Sequence, residues 1–152
     1  MKKSCLILAA FAVVFVLAAP STRAQSGAKQ GPDVMRDPDM EKESLHNLEV
    51  ARQYFKLRKA YKASLARCEE ILAGNPAFSK IDEVLFIAGE SSLRLSENKG
   101  KQSVKTATDK LREDARDYLS QLVNQYPDSK FRSESLEDLK ALGGPKPKES
   151  KQ

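Results

Sequence analysis

One histidine, His46, is the side chain of this sequence best suited to proton transfer near neutrality. Any Ser-His-Asp hydrolytic arrangement would have to be built on it, and nothing around it marks a nucleophile elbow. A histidine-rich metal site needs several imidazoles and is excluded. HExxH, paired CxxC and Gly-rich phosphate loops are all missing. Cys5 lies in an N-terminal apolar run, which leaves Cys68 by itself on an apolar helical stripe. Cys68 is expected as a small core residue, with intermolecular pairing as the alternative. These residues predict a chain that is not an enzyme and that uses no cofactor and no metal.

The elements that must carry these residues begin after a leader. Met1-Lys2-Lys3-Ser4 is followed by an unbroken apolar stretch from Cys5 to Ala19, then Pro20 and the small-residue pattern Thr22-Arg23-Ala24. That is the order of a secretory signal peptide, expected to be cut after Ala24. The run is shorter than the roughly 20 residues that span a bilayer; a retained anchor is the alternative. Without residues 1–24 the balance is 23 basic against 21 acidic residues. Basic and acidic side chains alternate along the helical part, so no nucleic-acid footprint is expected.

Residues 25–37 are polar and contain Gly and Pro, and are expected to form a flexible linker. From Gly143-Gly144-Pro145 onward, residues 143–152 are expected as a disordered tail. Between lie about five helices read from three- and four-residue apolar spacing. The first starts at Asp37-Pro38 and carries Leu45, Leu48, Ala51 and Phe55 on one face. After a turn near Lys59, the second carries Tyr61, Leu65, Cys68, Ile71 and Leu72 and stops at Gly74-Asn75-Pro76. Ser79 and Asp82 have the spacing of a capping box for the third, with Leu85, Ala88, Ser92 and Leu95. A polar loop spans Ser96 to Lys105. Thr106 and Asp109 predict a second capping box, opening a helix with Leu111, Ala115, Leu119, Leu122 and Val123. It stops at Tyr126-Pro127, and a short fifth helix from about Lys130 carries Leu136, Leu139 and Leu142.

Each stripe needs a neighbour to cover it, so the helices must form a bundle or stacked hairpins. Two helix ends repeat. Ile71-Leu72 is followed by Pro76 and Ser79, and Leu122-Val123 by Pro127 and Ser129. Repetition of this kind marks a helical array. Tyr61, Ser64, Leu65, Cys68, Ile71, Leu72 and Pro76 fall on the steps of the second helix of a tetratricopeptide (TPR) repeat, and the segment resembles that repeat. Leu48, Ala51 and Phe55 fit its first helix, whereas Arg52 stands where a small residue is usual. Leu85, Ala88 and Gly89 fit that position better. The loop before the fourth helix holds an insertion of roughly fourteen residues relative to a 34-residue repeat.

Tyr126-Pro127-Asp128-Ser129-Lys130-Phe131 is similar to the repeat endings of the outer-membrane assembly lipoprotein family typified by BamD. The resemblance covers about residues 41–142. It implies an all-α fold of TPR-like hairpins, an α-α superhelix, over residues 38–142. The family carries a lipid on a cysteine directly after the signal, where Gln25 stands here, and normally has more repeats.

The resemblance also implies a partner-binding groove lined by the first helix of each hairpin. The corresponding positions are His46, Glu49, Gln53 and Lys56, and Glu83, Phe86, Glu90 and Arg94. Phe86 is the candidate anchor if exposed, and a core residue against the fifth helix otherwise. The mixed charges argue against a groove dedicated to a carboxylate terminus. Lys99, Lys101 and Lys105 are expected in a solvated basic loop, with anionic lipid or an acidic partner as alternatives. The expected function is that of an exported protein–protein interaction module, an adaptor in envelope or outer-membrane assembly. The alternative is a small structural bundle acting by self-association. A protein or peptide partner in the envelope is expected, with a homodimer as a further state. Membrane contact is expected only through partners or an uncleaved signal. The expected place is the periplasm or outer-membrane periphery.

Overall fold

The computed structural model describes residues 36–100, 102 and 105–148. The expected signal peptide, most of the expected linker and residues 149–152 lie outside the described residues.

Helix α1 spans Pro38–Gln53. The Asp37 carboxylate accepts the Asp39 backbone N–H at 2.9 Å, and Pro38 stands where a first-turn N–H would have no partner. The predicted start is therefore found. The helix runs on into a π-helical turn, Tyr54–Arg58, closed by Lys59 at φ 50°. Helices α2 (Tyr61–Gly74), α3 (Ile81–Ser96), α4 (Thr108–Gln125) and α5 (Arg132–Ala141) follow. No strand occurs among the described residues. Successive helices pack on each other, α1 on α2, α2 on α3, α3 on α4 and α4 on α5.

The two proline corners have the same internal wiring. Asn75 (φ −140°, ψ 75°) and Tyr126 (φ −124°, ψ 68°) end α2 and α4 in nearly the same backbone conformation. The Asn75 N–H donates to Ile71 O at 2.8 Å, and the Tyr126 N–H to Leu122 O at 2.9 Å. Phe78 N–H then donates to Asn75 O, and Ser129 N–H to Tyr126 O, both at 3.1 Å. A last pair, Ile81 to Phe78 at 3.2 Å and Arg132 to Ser129 at 3.1 Å, opens the next helix. Pro76 and Pro127 hold equivalent places in two turns of one repeat.

The two predicted capping boxes do not form. Helix α3 begins after Lys80 and α4 after Ala107, each without a side-chain cap. Asp82 instead accepts the Ser129 hydroxyl at 2.7 Å, tying the start of α3 to the second corner. The Ser79 N–H meets the Glu41 carboxylate at 3.3 and 3.4 Å. A tertiary partner has displaced the local one. Helix α4 starts one residue later than a cap at Thr106 would require.

The core is continuous through the stack. Leu48, Ala51, Cys68, Leu85, Leu119, Leu122 and Leu139 are fully buried, and burial of one leucine contributes about 1.5–3 kcal/mol. Cys68 is thus a core residue, and burial pushes its thiol well above the ordinary range. Leu45, expected on this face, is 39% exposed; Ser44, Leu48 and Ala51 form the inward row instead. Small residues set the closest approach of helices. A β-carbon at Gly89 would lie 2.6 Å from the Leu119 side chain, so α3 and α4 pack tightly there. The Ser64 hydroxyl donates to Ala51 O at 3.0 Å, joining α2 to α1.

Beyond α5, Gly143 (φ 91°) and Gly144 (φ 85°) turn the chain back along α4. Arg116 donates to Gly144 O at 2.8 Å and to Gly143 O at 3.2 Å. The Lys146 N–H donates to the Ser120 hydroxyl at 2.8 Å, Asn124 donates to Lys146 O at 2.9 Å, and the Lys146 ammonium pairs with Glu113 and Asp117. The segment expected as the start of a free tail is therefore a strap on α4 as far as Lys146.

Candidate partner-binding face

The eight residues aligned with the groove of TPR-like domains divide by helix. On α1, His46, Glu49, Gln53 and Lys56 are all exposed; their three- and four-residue spacing sets them along one side of α1 and its π-helical turn. The core takes the Ser44, Leu48 and Ala51 side, which leaves this row to solvent. The row offers an acceptor, a cation, an amide and an imidazole. It is suited to hydrogen bonding and pairing with a polypeptide of mixed charge.

On α3 the four residues are held by internal contacts. Glu83 lies within a fork from Arg52, Nε to Oε1 and Nη2 to Oε2, both at 2.7 Å. Arg52 also reaches Glu49 at 3.1 Å. Burial works to raise the Glu83 pKa, but the Arg52 hydrogen bonds and charge outweigh it, and the net shift is downward. The same contact holds the Arg52 guanidinium above its ordinary value. Arg52, which departs from the small residue of the repeat, is therefore the tie between the first helices of two hairpins.

Phe86 is 8% exposed and stacks on Phe131, with ring centroids 4.7 Å apart and planes 16° from parallel. Of the two readings of Phe86, the structure gives the core packing at the start of α5. Glu90 is 2% exposed and accepts both Arg94 Nη2 at 2.6 Å and Nε at 3.1 Å. Arg94 also stands over the Phe55 ring at 5.8 Å. Next to Glu90 lies Asp138 of α5, whose Oδ2 is buried without a partner. Burial, and then the neighbouring Glu90 carboxyl, push the Asp138 carboxyl up to about 7. The start of α5 and its Asp138 thus lie beside two of the four α3 positions that the resemblance assigns to the groove, Phe86 and Glu90.

Sequence reasoning missed Arg52, Phe131 and Asp138. Their roles depend on contacts 31 to 48 residues away in sequence, and no local spacing announces them. On the opposite side, an open hollow of about 670 Å³ lies between α2 and α4. Leu72, Pro76, Tyr118 and Tyr126 line it. Among the described residues no group of three or more His, Cys, Asp or Glu could hold a metal ion. No helix there is long and apolar enough to cross a membrane.

Five helices in hairpins with equivalent proline corners and an unpaired last helix define a TPR-like helical array. The chain belongs to the outer membrane lipoprotein family YfiO, the BamD-like family, whose model matches residues 35–143. No curated protein and no solved structure matches it. The family is one of non-enzymatic assembly lipoproteins that act as protein-interaction modules in the cell envelope.

Proposed function

We propose that the chain is an adaptor of the periplasm or outer-membrane periphery that holds a partner protein against the outward row of α1. The observation that supports this most is the division of labour between α1 and α3. His46, Glu49, Gln53 and Lys56 are exposed, whereas Glu83, Phe86 and Glu90 are engaged by Arg52, Phe131 and Arg94. The α3 set therefore shapes the floor and edge of the face, and the α1 set meets the partner. Of the α3 set, Arg94 keeps a side chain 36% exposed beside that face.

The test is a pull-down and its quantitation in solution. His46→Ala, Glu49→Lys, Gln53→Ala and Lys56→Glu together should weaken partner binding by more than tenfold, with far-UV circular dichroism unchanged. Undiminished binding by a variant of native helicity would refute the assignment. The alternative, self-association at the edge after α5, is opposed by the strap: residues 143–146 already cover part of α4.

A further inference from the structure

The end of the array formed by the α1–α2 turn and the α3–α4 loop differs in charge from the rest. From Tyr54 to Ala63 the sequence holds Lys56, Arg58, Lys59 and Lys62 and no carboxylate, and all four cations are exposed. The loop after α3 packs on this turn. Gly100, at φ 91°, is so close that a β-carbon there would lie 2.8 Å from Lys59 O and 3.1 Å from the Tyr61 ring. Gln102 Oε1 accepts the Lys62 backbone N–H at 3.0 Å. These contacts bring the loop that carries the exposed Lys99 and Lys105 to the same end.

Cations elsewhere are mixed with carboxylates along the chain. Some of them, such as Lys42, Lys80 and Lys130, form no ion pair among the described residues, but no described stretch of ten residues outside this one gathers four cations without a carboxylate. Arg52, Arg67, Arg94, Lys110, Lys140 and Lys146 each pair with a carboxylate. At this end only Lys99 does, with Glu97 at 2.8 Å; the other carboxylate here is Asp109, in the first turn of α4. Among the described residues Lys56, Arg58, Lys59, Lys62 and Lys105 form no ion pair. In their midst stands Leu57, 80% exposed. It lies two residues beyond the partly buried Phe55 in the π-helical turn, where the fold gives an apolar side chain no cover.

Clustered unpaired cations call for a polyanion, and the leucine selects which kind. An acidic peptide would take up a leucine only by bringing apolar residues to it. A side chain so exposed has no pocket walls of its own. A lipid surface supplies both parts at once, phosphates for the cations and an apolar layer beneath them for the leucine.

We propose that this end is a membrane-contact tip: Leu57 enters the headgroup layer of an anionic bilayer while Arg58, Lys59, Lys62 and Lys105 lie against its phosphates. This goes beyond contact through partners or a retained leader, and it does not depend on the α1 face. Each cation near such a surface strengthens binding about fivefold.

The experiment uses the full chain with Cys5→Ser and Leu57→Cys, labelled at position 57 with an environment-sensitive fluorophore. Cys68 is buried and does not compete for the label. Vesicles of phosphatidylglycerol should shift the emission to the blue at low salt, and vesicles of phosphatidylcholine should not. Adding Lys59→Glu and Lys62→Glu should raise the lipid concentration at half-effect at least about tenfold, with helicity retained. If that pair disturbs the fold, Lys59→Gln with Lys62→Gln serves, with a shift in the same direction. The proposal is overturned by unchanged emission on phosphatidylglycerol, by an equal response to phosphatidylcholine, or by an unaltered half-effect in the folded charge variants. A response to polyglutamate alone would assign the tip to an acidic protein instead. The label reports only on this tip, whatever the N-terminal apolar run does. His46, Glu49, Gln53 and Lys56 stay intact, so failure here leaves the adaptor reading standing, and the reverse.

Discussion

Arg52 shows how a residue that breaks a repeat pattern can serve the architecture. Its fork to Glu83 has a donor on each carboxylate oxygen at 2.7 Å, and the Glu83 side chain is 13% exposed. Arg52→Ala would leave that carboxylate half-desolvated and unpaired. The expected loss is about 2 kcal/mol in urea unfolding, and an unchanged midpoint would show the tie to be idle. Asp138 works in the opposite sense. Burial, with Glu90 beside it, raises its folded pKa to about 7, above the roughly 3.9 of an unfolded chain. Between those values the folded state holds more protons than the unfolded one. This group's contribution therefore falls as pH rises from about 4 to about 7. Asp138→Asn should flatten the stability profile across that window and stabilise the protein at pH 8. A profile still falling with the wild-type slope would assign the titration elsewhere.

At the level of elements, the apolar rows and the helix stops were open to direct reading. Asp37-Pro38, Gly74-Asn75-Pro76 and Tyr126-Pro127 are local signals, and each marks a boundary in the structure. What local pattern misjudged were contests between near and far partners. Asp82 has capping-box spacing from Ser79 yet accepts the Ser129 hydroxyl. The π-helical turn at Tyr54–Arg58 has no sequence signature, and it sets the place of Leu57. The burial of two α3 members of the candidate face was not legible for a related reason: Phe131 and Asp138 arrive with α5, beside Phe86 and Glu90. Gly89 tests the packing directly. Gly→Ala in a helix normally gains about 1 kcal/mol. Here the new β-carbon would meet the buried Leu119 side chain at 2.6 Å, and overpacking costs about 1–3 kcal/mol. A net loss is expected for Gly89→Ala in chemical denaturation, and more for Gly89→Val. A gain would mean that α3 and α4 are looser than described.

For the whole molecule, the issue is how the described array is covered beyond α5. Helical arrays need about three repeats to bury a continuous core, and here α5 is followed by a strap instead of a partner helix. A stop after Gly144 would remove the Lys146 contacts to Ser120, Asn124, Glu113 and Asp117. It would also leave the buried Ser120 hydroxyl without its donor. A loss of about 1–2 kcal/mol is expected; truncation without effect would show that α5 alone closes the stack. With part of α4 covered there, the surface proposed to meet a partner is the exposed row of α1. Site-specific photo-crosslinking in the intact envelope tests this most directly, with the reactive group placed in turn at His46, at Gln53 and at Ala66, an exposed residue of α2. Discrete protein adducts are expected from His46 and Gln53 and none from Ala66; adducts from Ala66 alone, or equally from all three, would contradict the account.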